Sequence, residues 1–151
     1  MGMERTRVLF LCGRNTARSQ MAEAFLNHLG GDRFEGESAG LEAGEALHPL
    51  AVRVMAEVGI DMAAQRPKRA FDLFQEGRLY DTVVAVCDAA VADRCPVYPG
   101  VTRRLSWPFP DPAAAEGSEE ERLEQVRRIR DQIRTAVEDL VAAGPEGLRE
   151  D

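Results

Sequence analysis

The sequence is poor in cysteine and histidine, and it has no long apolar run. Its three cysteines, Cys12, Cys87 and Cys95, are too few and odd in number for an extracellular disulfide framework. They form no Cys-x-x-Cys pair, and His28 and His48 stand apart, so the spacing fits no standard zinc site. No apolar run reaches the length of a membrane span. The cysteines are therefore either reactive thiols or buried structural ones.

Basic residues are scarce relative to acidic ones. The chain has 19 lysines and arginines against 26 acidic residues, a formal net charge of −7 at pH 7. This charge argues against a nucleic acid or an anionic membrane as a partner. Residues 1–7 also lack the apolar segment of a secretory signal, so we expect a cytoplasmic protein. An anionic ligand would need a local site that works against the overall field.

The length of 151 residues is that of one compact domain. We predict a single domain over residues 1–151, with flexible ends at 1–5 and 145–151, and we expect a monomer. An apolar content of 44% with 30% charged residues is ordinary for a globular protein.

Predicted strands and helices alternate along the chain. Short apolar runs predict buried strands at residues 8–11 and 82–86, and two further strands are predicted at 34–39 and 103–107. Apolar residues at helical spacing predict helices from the first polar loop to Gly30, from Pro49 to Gly59, over 69–75, and from Ser118 to Gly144. The alternation predicts an α/β fold with a central parallel four-stranded sheet and helices on both faces.

Three candidate residues each come just after a predicted strand, namely Cys12, Cys87 and Asp111. The carboxyl ends of parallel strands lie along one rim of an open sheet, and ligands bind there. We therefore expect these residues to come together at that rim. Arg14 and His48 are expected to be peripheral to the chemistry.

The segment from Cys12 to Ser19 joins a predicted strand to a predicted helix. Unpaired N–H groups and the helix dipole make a helix N-terminus an anion site. Arg18 supplies a planar fork for two oxygens of phosphate or arsenate, and Ser19 is placed to steady the Cys12 thiolate. A buried cysteine beside two solvated arginines is the alternative, but Cys-x5-Arg-Ser in this setting favours an anion site. The predicted ligand-binding residues are Gly13, Arg14, Asn15, Thr16, Ala17, Arg18 and Ser19.

This loop and the following Gln20-Met21-Ala22-Glu23-Ala24 resemble the low-molecular-weight protein tyrosine phosphatase superfamily, specifically its arsenate reductase branch. The resemblance covers nearly the whole chain. It continues through Ser38-Ala39-Gly40, residues 54–61, Cys87-Asp88, Cys95-Pro96-Val97 and Phe109-Pro110-Asp111-Pro112.

The resemblance implies a catalytic set of Cys12, Arg18, Cys87, Cys95 and Asp111, with Asp111 as general acid. In the implied mechanism, Cys12 attacks arsenate, Cys87 then attacks Cys12 and releases arsenite, and Cys95 moves the disulfide outward to be reduced by thioredoxin. Seven residues separate Cys87 from Cys95, one more than the six expected from close relatives, so a structural role for Cys95 stays open.

Three alternatives remain. A low-molecular-weight tyrosine phosphatase or small phosphomonoesterase would use only Cys12, Arg18 and Asp111. Such phosphatases usually carry aromatic residues after the Asp-Pro pair, whereas residues 113–115 are three alanines here. A non-catalytic oxyanion-binding module is the second alternative, but it would not need Cys12, Arg18 and Asp111 to be intact. A reductase could also be regenerated by glutaredoxin or a low-molecular-weight thiol, which would leave Cys95 idle.

Lys68 is the one lysine among the 19 basic residues. Some relatives bind a potassium ion behind the loop, using residues that match Asn15, Glu23 and Ser38. We expect either that the Lys68 ammonium takes the place of this ion and pairs with Glu23, or that Lys68 is a solvated surface residue. Glu23, Ser38 and Lys68 are thus candidate supports of the loop. Neither a metal site nor another cofactor is expected.

Overall fold

The protein is described by a computed structural model over residues 5–86 and 103–147. The predicted alternation of strands and helices is present in these ranges. The strands are β1 (Thr6–Cys12), β2 (Phe34–Gly40), β3 (Thr82–Ala85) and β4 (Arg103–Ser106). The helices are α1 (Arg18–Leu29), α2 (Pro49–Glu57), α3 (Ala70–Gln75) and α4 (Glu119–Gly147), with a 3-10 turn at Pro112–Ala114.

The strands form a sheet in the order β2-β1-β3-β4, and all neighbours are parallel. Cys12 is aligned with Gly40 on β2, and Leu11 is aligned with Ala85 on β3. After β1 the chain therefore forms β2 on one side of it, and later forms β3 and β4 on the other side. The point at which the order reverses lies at the carboxyl end of β1, where open parallel sheets bind ligands.

Helices cover both faces of the sheet, so the predicted fold class is confirmed. Alternate residues of β1 point to opposite faces, as the strand period of two requires. Val8, Phe10 and Cys12 belong to the larger apolar cluster, with α1, α2 and α4. Leu9 and Leu11 belong to the smaller cluster, with α3.

Helix α4 begins with a reciprocal cap. The Ser118 Oγ accepts a hydrogen bond from the Glu121 N–H at 3.2 Å, and Glu121 Oε1 accepts one from the Ser118 N–H at 3.0 Å. This is the capping box that the sequence predicts. The helix is interrupted at Gly144, whose φ of 74° lies in the left-handed region, and its last turn runs on to Gly147. In the ranges described, no helix combines the length and apolar character needed to cross a membrane.

Candidate active site

The predicted anion loop lies at the carboxyl rim of the sheet. Cys12 is the last residue of β1 and Arg18 is the first residue of α1. Asn15 turns the chain with a φ of 60°, a conformation that asparagine tolerates better than most residues. Ala17 precedes α1 without a side-chain cap, so the first helical N–H groups are left for a ligand.

The Cys12 sulfur is buried and surrounded by hydrogen-bond donors. Its Sγ lies 2.9 Å from Ser19 Oγ and accepts the Asn15 N–H at 3.0 Å. Asn15 Nδ2 donates to the same Ser19 Oγ at 2.7 Å, so the hydroxyl proton of Ser19 is left to point at the sulfur. Both donors stabilise the thiolate, which is the nucleophilic form of cysteine.

Asn15 connects the loop to a layer of polar groups behind it. Its Oδ1 accepts from Gln20 Nε2 at 2.8 Å and from the Lys68 N–H at 2.8 Å. Gln20 Nε2 also donates to the Arg66 carbonyl at 2.8 Å, while Gln65 Nε2 donates to Gln20 Oε1 at 2.7 Å. Gln20 and Gln65 were not among the predicted site residues. The available signal for Gln20 was a polar residue directly after the loop, on the buried side of α1.

The carbonyl groups of the loop are bound by residues 41–48, which we call the strap. The strap donates four backbone hydrogen bonds: Leu41 N to Cys12 O (3.2 Å), Glu42 N to Gly13 O (3.0 Å), Gly44 N to Arg14 O (2.9 Å) and His48 N to Thr16 O (2.9 Å). Within the described ranges, the amide N–H groups of Arg14, Thr16 and Ala17 have no hydrogen-bond acceptor. These groups are available to an oxyanion.

Arg18 and Asp111 meet beside the loop. Arg18 Nη1 donates to the Phe109 carbonyl at 3.1 Å, and Nη2 lies 3.9 Å from Asp111 Oδ1. The Ala113 N–H donates to the same Asp111 oxygen at 2.9 Å and fixes the carboxylate at the start of the 3-10 turn. The Trp107 ring packs between Phe10 and Phe109, with centroid distances of 5.9 and 6.2 Å. These contacts hold an exposed carboxylate next to the arginine of the anion loop.

Glu23, Ser38 and Lys68 form a polar cluster behind the loop. Glu23 Oε1 accepts from Ser38 Oγ at 2.6 Å and lies 3.5 Å from Lys68 Nζ, which also donates to the Arg66 carbonyl at 3.2 Å. Burial raises the pKa of Glu23, and the neighbouring Lys68 ammonium opposes that rise. Lys68 therefore contacts Asn15 through its backbone and Glu23 through its side chain.

His48 caps α2 at the end of the strap. Its Nδ1 accepts the Leu50 N–H at 3.2 Å, so the proton of the neutral ring is on Nε2. Burial lowers the pKa of His48, the Asp111 carboxylate opposes this, and Arg122 adds to it. His48 thus stands near Asp111, and its N–H holds Thr16, a contact that the sequence did not predict.

The predictions on Cys87 and Cys95 lie outside the described residues. Val86, which directly precedes Cys87 in the chain, donates its N–H to the Leu11 carbonyl at 2.9 Å. Leu11 directly precedes Cys12. In the described part of the chain, no group of three or more histidine, cysteine or acidic side chains is arranged to hold a metal ion.

Fold and site together define an α/β protein with a buried cysteine in a strand-to-helix loop whose free N–H groups could bind an oxyanion. The chain belongs to the low molecular weight phosphotyrosine protein phosphatase family, whose sequence pattern matches residues 7–151. It is 42% identical over 143 residues to an arsenate reductase of Shouchella clausii. The matched region covers 94% of this chain and 99% of that protein.

Solved structures agree with this placement. The structure of an arsenate reductase in the phosphate-binding state is 34% identical, with a TM-score of 0.71, and the match covers 91% of this chain and 97% of that one. The Corynebacterium glutamicum thioredoxin-dependent arsenate reductase is 27% identical, with a TM-score of 0.62, and the match covers 91% of this chain and 64% of that one.

Proposed function

We propose that this protein is an arsenate reductase regenerated by thioredoxin. The observation that carries the proposal is the Cys12 sulfur held between two donors at the base of a loop with open N–H groups. The similarity to named arsenate reductases over nearly the whole chain supports the choice of arsenate as substrate.

The first step joins the Cys12 sulfur to arsenic. The thiolate attacks arsenate held by the loop N–H groups and Arg18, the bond from arsenic to its hydroxyl group breaks, and the hydroxyl leaves as water after taking one proton from Asp111. The distance of 3.9 Å between Arg18 and Asp111 supports these roles, because an anion bound by the arginine would lie beside the acid that protonates it.

The next two steps move electrons between sulfurs. The Cys87 thiolate attacks the Cys12 sulfur, the sulfur–arsenic bond breaks, and its electron pair reduces arsenic to arsenite. The Cys95 thiolate then attacks Cys87 and releases the Cys12 thiolate, and the dithiol of thioredoxin reduces the resulting Cys87–Cys95 disulfide. Supporting this order, Val86 and Leu11 are hydrogen-bonded neighbours, and each directly precedes a cysteine of the first disulfide.

A coupled assay tests the function. Purified protein is mixed with arsenate, thioredoxin, thioredoxin reductase and NADPH, and nicotinamide oxidation is followed. We expect arsenate-dependent oxidation that is lost in Cys12→Ser and in Cys87→Ser, because each removes a sulfur that the chemistry needs. Cys95→Ser should lose turnover with thioredoxin but still form one arsenite per chain in a single turnover.

Hydrolysis of an aryl phosphate provides the contrast. Cys87→Ser should keep any such hydrolysis, because the phosphatase reaction needs only Cys12, Arg18 and Asp111. Rapid hydrolysis without arsenate-dependent turnover would show a phosphatase instead. Turnover with glutaredoxin or a small thiol, but not with thioredoxin, would replace the reductant and leave Cys95 without its role.

We also propose that the Lys68 ammonium takes the place of a potassium ion behind the loop. The oxygens of Glu23 and of the Arg66 carbonyl, which suit a cation, lie 3.5 and 3.2 Å from Lys68 Nζ. A compact ammonium supplies the same single charge at that position.

A further inference from the structure

The four hydrogen bonds of the strap fix the direction in which the loop N–H groups point. In a planar trans peptide, the carbonyl of one residue and the N–H of the next point in opposite directions. Binding the carbonyls of Gly13, Arg14 and Thr16 to the strap therefore turns the N–H groups of Arg14, Asn15 and Ala17 away from it. The Asn15 N–H confirms this direction, because it donates to the Cys12 sulfur at 3.0 Å.

At Gly44 the strap leaves no room for a side chain between itself and the loop. A Cβ atom placed on Gly44 would lie 2.5 Å from Thr16 Cγ2, closer than real Cβ contacts. The φ of Gly44 is outside the left-handed region, so its backbone accepts alanine. The space occupied by the Thr16 methyl group is therefore what requires glycine at this position.

Gly40 differs in this respect. A Cβ atom there would lie 2.5 Å from the Glu42 carbonyl oxygen and 2.9 Å from the backbone of Arg14 and Asn15. Backbone atoms cannot move aside without distorting the loop, whereas the Thr16 methyl can be removed by substitution. Gly44 thus offers a test of the strap that a second change can reverse.

We propose that the strap is the element that aims the loop amides, and that Gly44 is a positioning residue for oxyanion binding through its fit against Thr16. The proposal rests on the proposed oxyanion-binding function of the loop. Its physical basis is preorganisation: donors already fixed toward the anion need no rearrangement when it binds. A shifted strap would rotate the peptides and weaken all of the donors together.

The experiment is a double-mutant cycle of Gly44→Ala and Thr16→Ser, with inorganic phosphate as the probe. Affinity is measured by calorimetry, and the thermal midpoint is measured without phosphate. We expect Gly44→Ala to weaken phosphate binding by about tenfold or more, because misplacement of about 1 Å in an oriented site costs up to roughly a hundredfold. In the Thr16→Ser background, the same change should weaken binding by about twofold or less, since the clashing methyl is gone.

The arms separate the possible outcomes. Unchanged phosphate affinity in Gly44→Ala, or an equal loss in both backgrounds, would overturn the proposal, as would a lower thermal midpoint with affinity intact. If Gly44→Ala alone does not fold, the double variant decides: folding with an affinity near that of Thr16→Ser supports the strap, and failure to fold refutes it. A wild-type protein that binds neither phosphate nor arsenate would instead refute the proposed function.

Discussion

Asn15 and Ser19 contact the Cys12 sulfur and also form a buried hydrogen bond with each other. Asn15 and Ser19 are fully buried, and both the nitrogen and the oxygen of the Asn15 side-chain amide have hydrogen-bond partners. Removing one partner from a buried polar pair leaves the other unsatisfied, at a cost of about 1–3 kcal/mol. Substitutions here would therefore lower stability and thiolate reactivity together, which makes them poor tests of chemistry alone.

Lys68 gives a cleaner test, because its side chain acts from behind the loop. We expect Lys68→Ala to bind phosphate more weakly in sodium chloride, since Glu23 loses the ammonium at 3.5 Å, and to recover part of the affinity in potassium chloride. The wild-type protein should respond equally to both salts. Calorimetric titration with phosphate in each salt measures the effect.

Arg69→Ala is the matched control, because it removes the same charge from the next residue, whose side chain pairs with Asp72 instead. It should bind phosphate as the wild type does in either salt. Full activity of Lys68→Ala without any response to potassium would count decisively against the proposal.

Among the helices, α2 and α4 are joined by an ionic link at the end of α2. Glu57 accepts hydrogen bonds from Arg127 at 2.8 Å and from Arg130 at 2.9 Å. Arg130 is 8% exposed and also donates to the Val54 carbonyl at 2.9 Å, so its position is fixed. The hydrogen bonds from Arg127 and Arg130 lower the pKa of Glu57 to about 2.

This link predicts a pH-dependent loss of stability. The pKa of Glu57 is lower in the folded chain than its ordinary value of 4.5, so its contribution is complete above pH 4.5 and is lost as the pH falls toward about 2. Glu57→Gln should lose about 1 kcal/mol at pH 7, a modest value because the carboxylate is partly exposed and screened by solvent. The difference from wild type should shrink at pH 3 in urea unfolding.

Glu120→Gln serves as the comparison for Glu57→Gln. Glu120 contacts only the outer side of Arg127, at 3.3 Å, and its side chain is 79% exposed. It should change stability little at either pH. An equal deficit of Glu57→Gln at pH 7 and pH 3 would show that ionisation of Glu57 is not the source.

On the scale of the whole molecule, a chain of net charge −7 places the groups of the proposed anion site at one point of the sheet rim. The carboxyl end of β1, the amino end of α1 and the loop before the 3-10 turn converge there. The helix dipole and the guanidinium of Arg18 supply local positive potential that the overall charge does not.

Binding at this point should stabilise the whole fold. Phosphate at a hundredfold excess over its Kd should add about 2.7 kcal/mol to the free energy of unfolding, because it binds only the folded chain. The thermal midpoint should rise with phosphate in the wild type and in Arg53→Ala, whose arginine pairs with Glu119 away from the loop. The rise should be much smaller in Arg18→Ala, which keeps the loop N–H groups but loses the guanidinium; an equal rise there would place the anion elsewhere.

The sequence by itself determined the elements and their ends. The predicted strands and α-helices match those of the described ranges to within a few residues, since periodicity, apolar runs and helix-ending residues depend on neighbours in the chain. The Ser118–Glu121 cap and the Cys12–Ser19 loop were predictable for the same reason, because each is a contiguous segment with its own chemistry.

Only the tertiary structure decided what holds the loop in shape. The order β2-β1-β3-β4 brings residues 41–48 against the loop carbonyls, and it brings Gln65, Arg66 and Lys68 behind Asn15 and Gln20. These contacts join residues about 30 to 50 positions apart, mostly through backbone groups that every residue carries. A backbone donor leaves no mark in the sequence, so its partner is known only once the chain is folded.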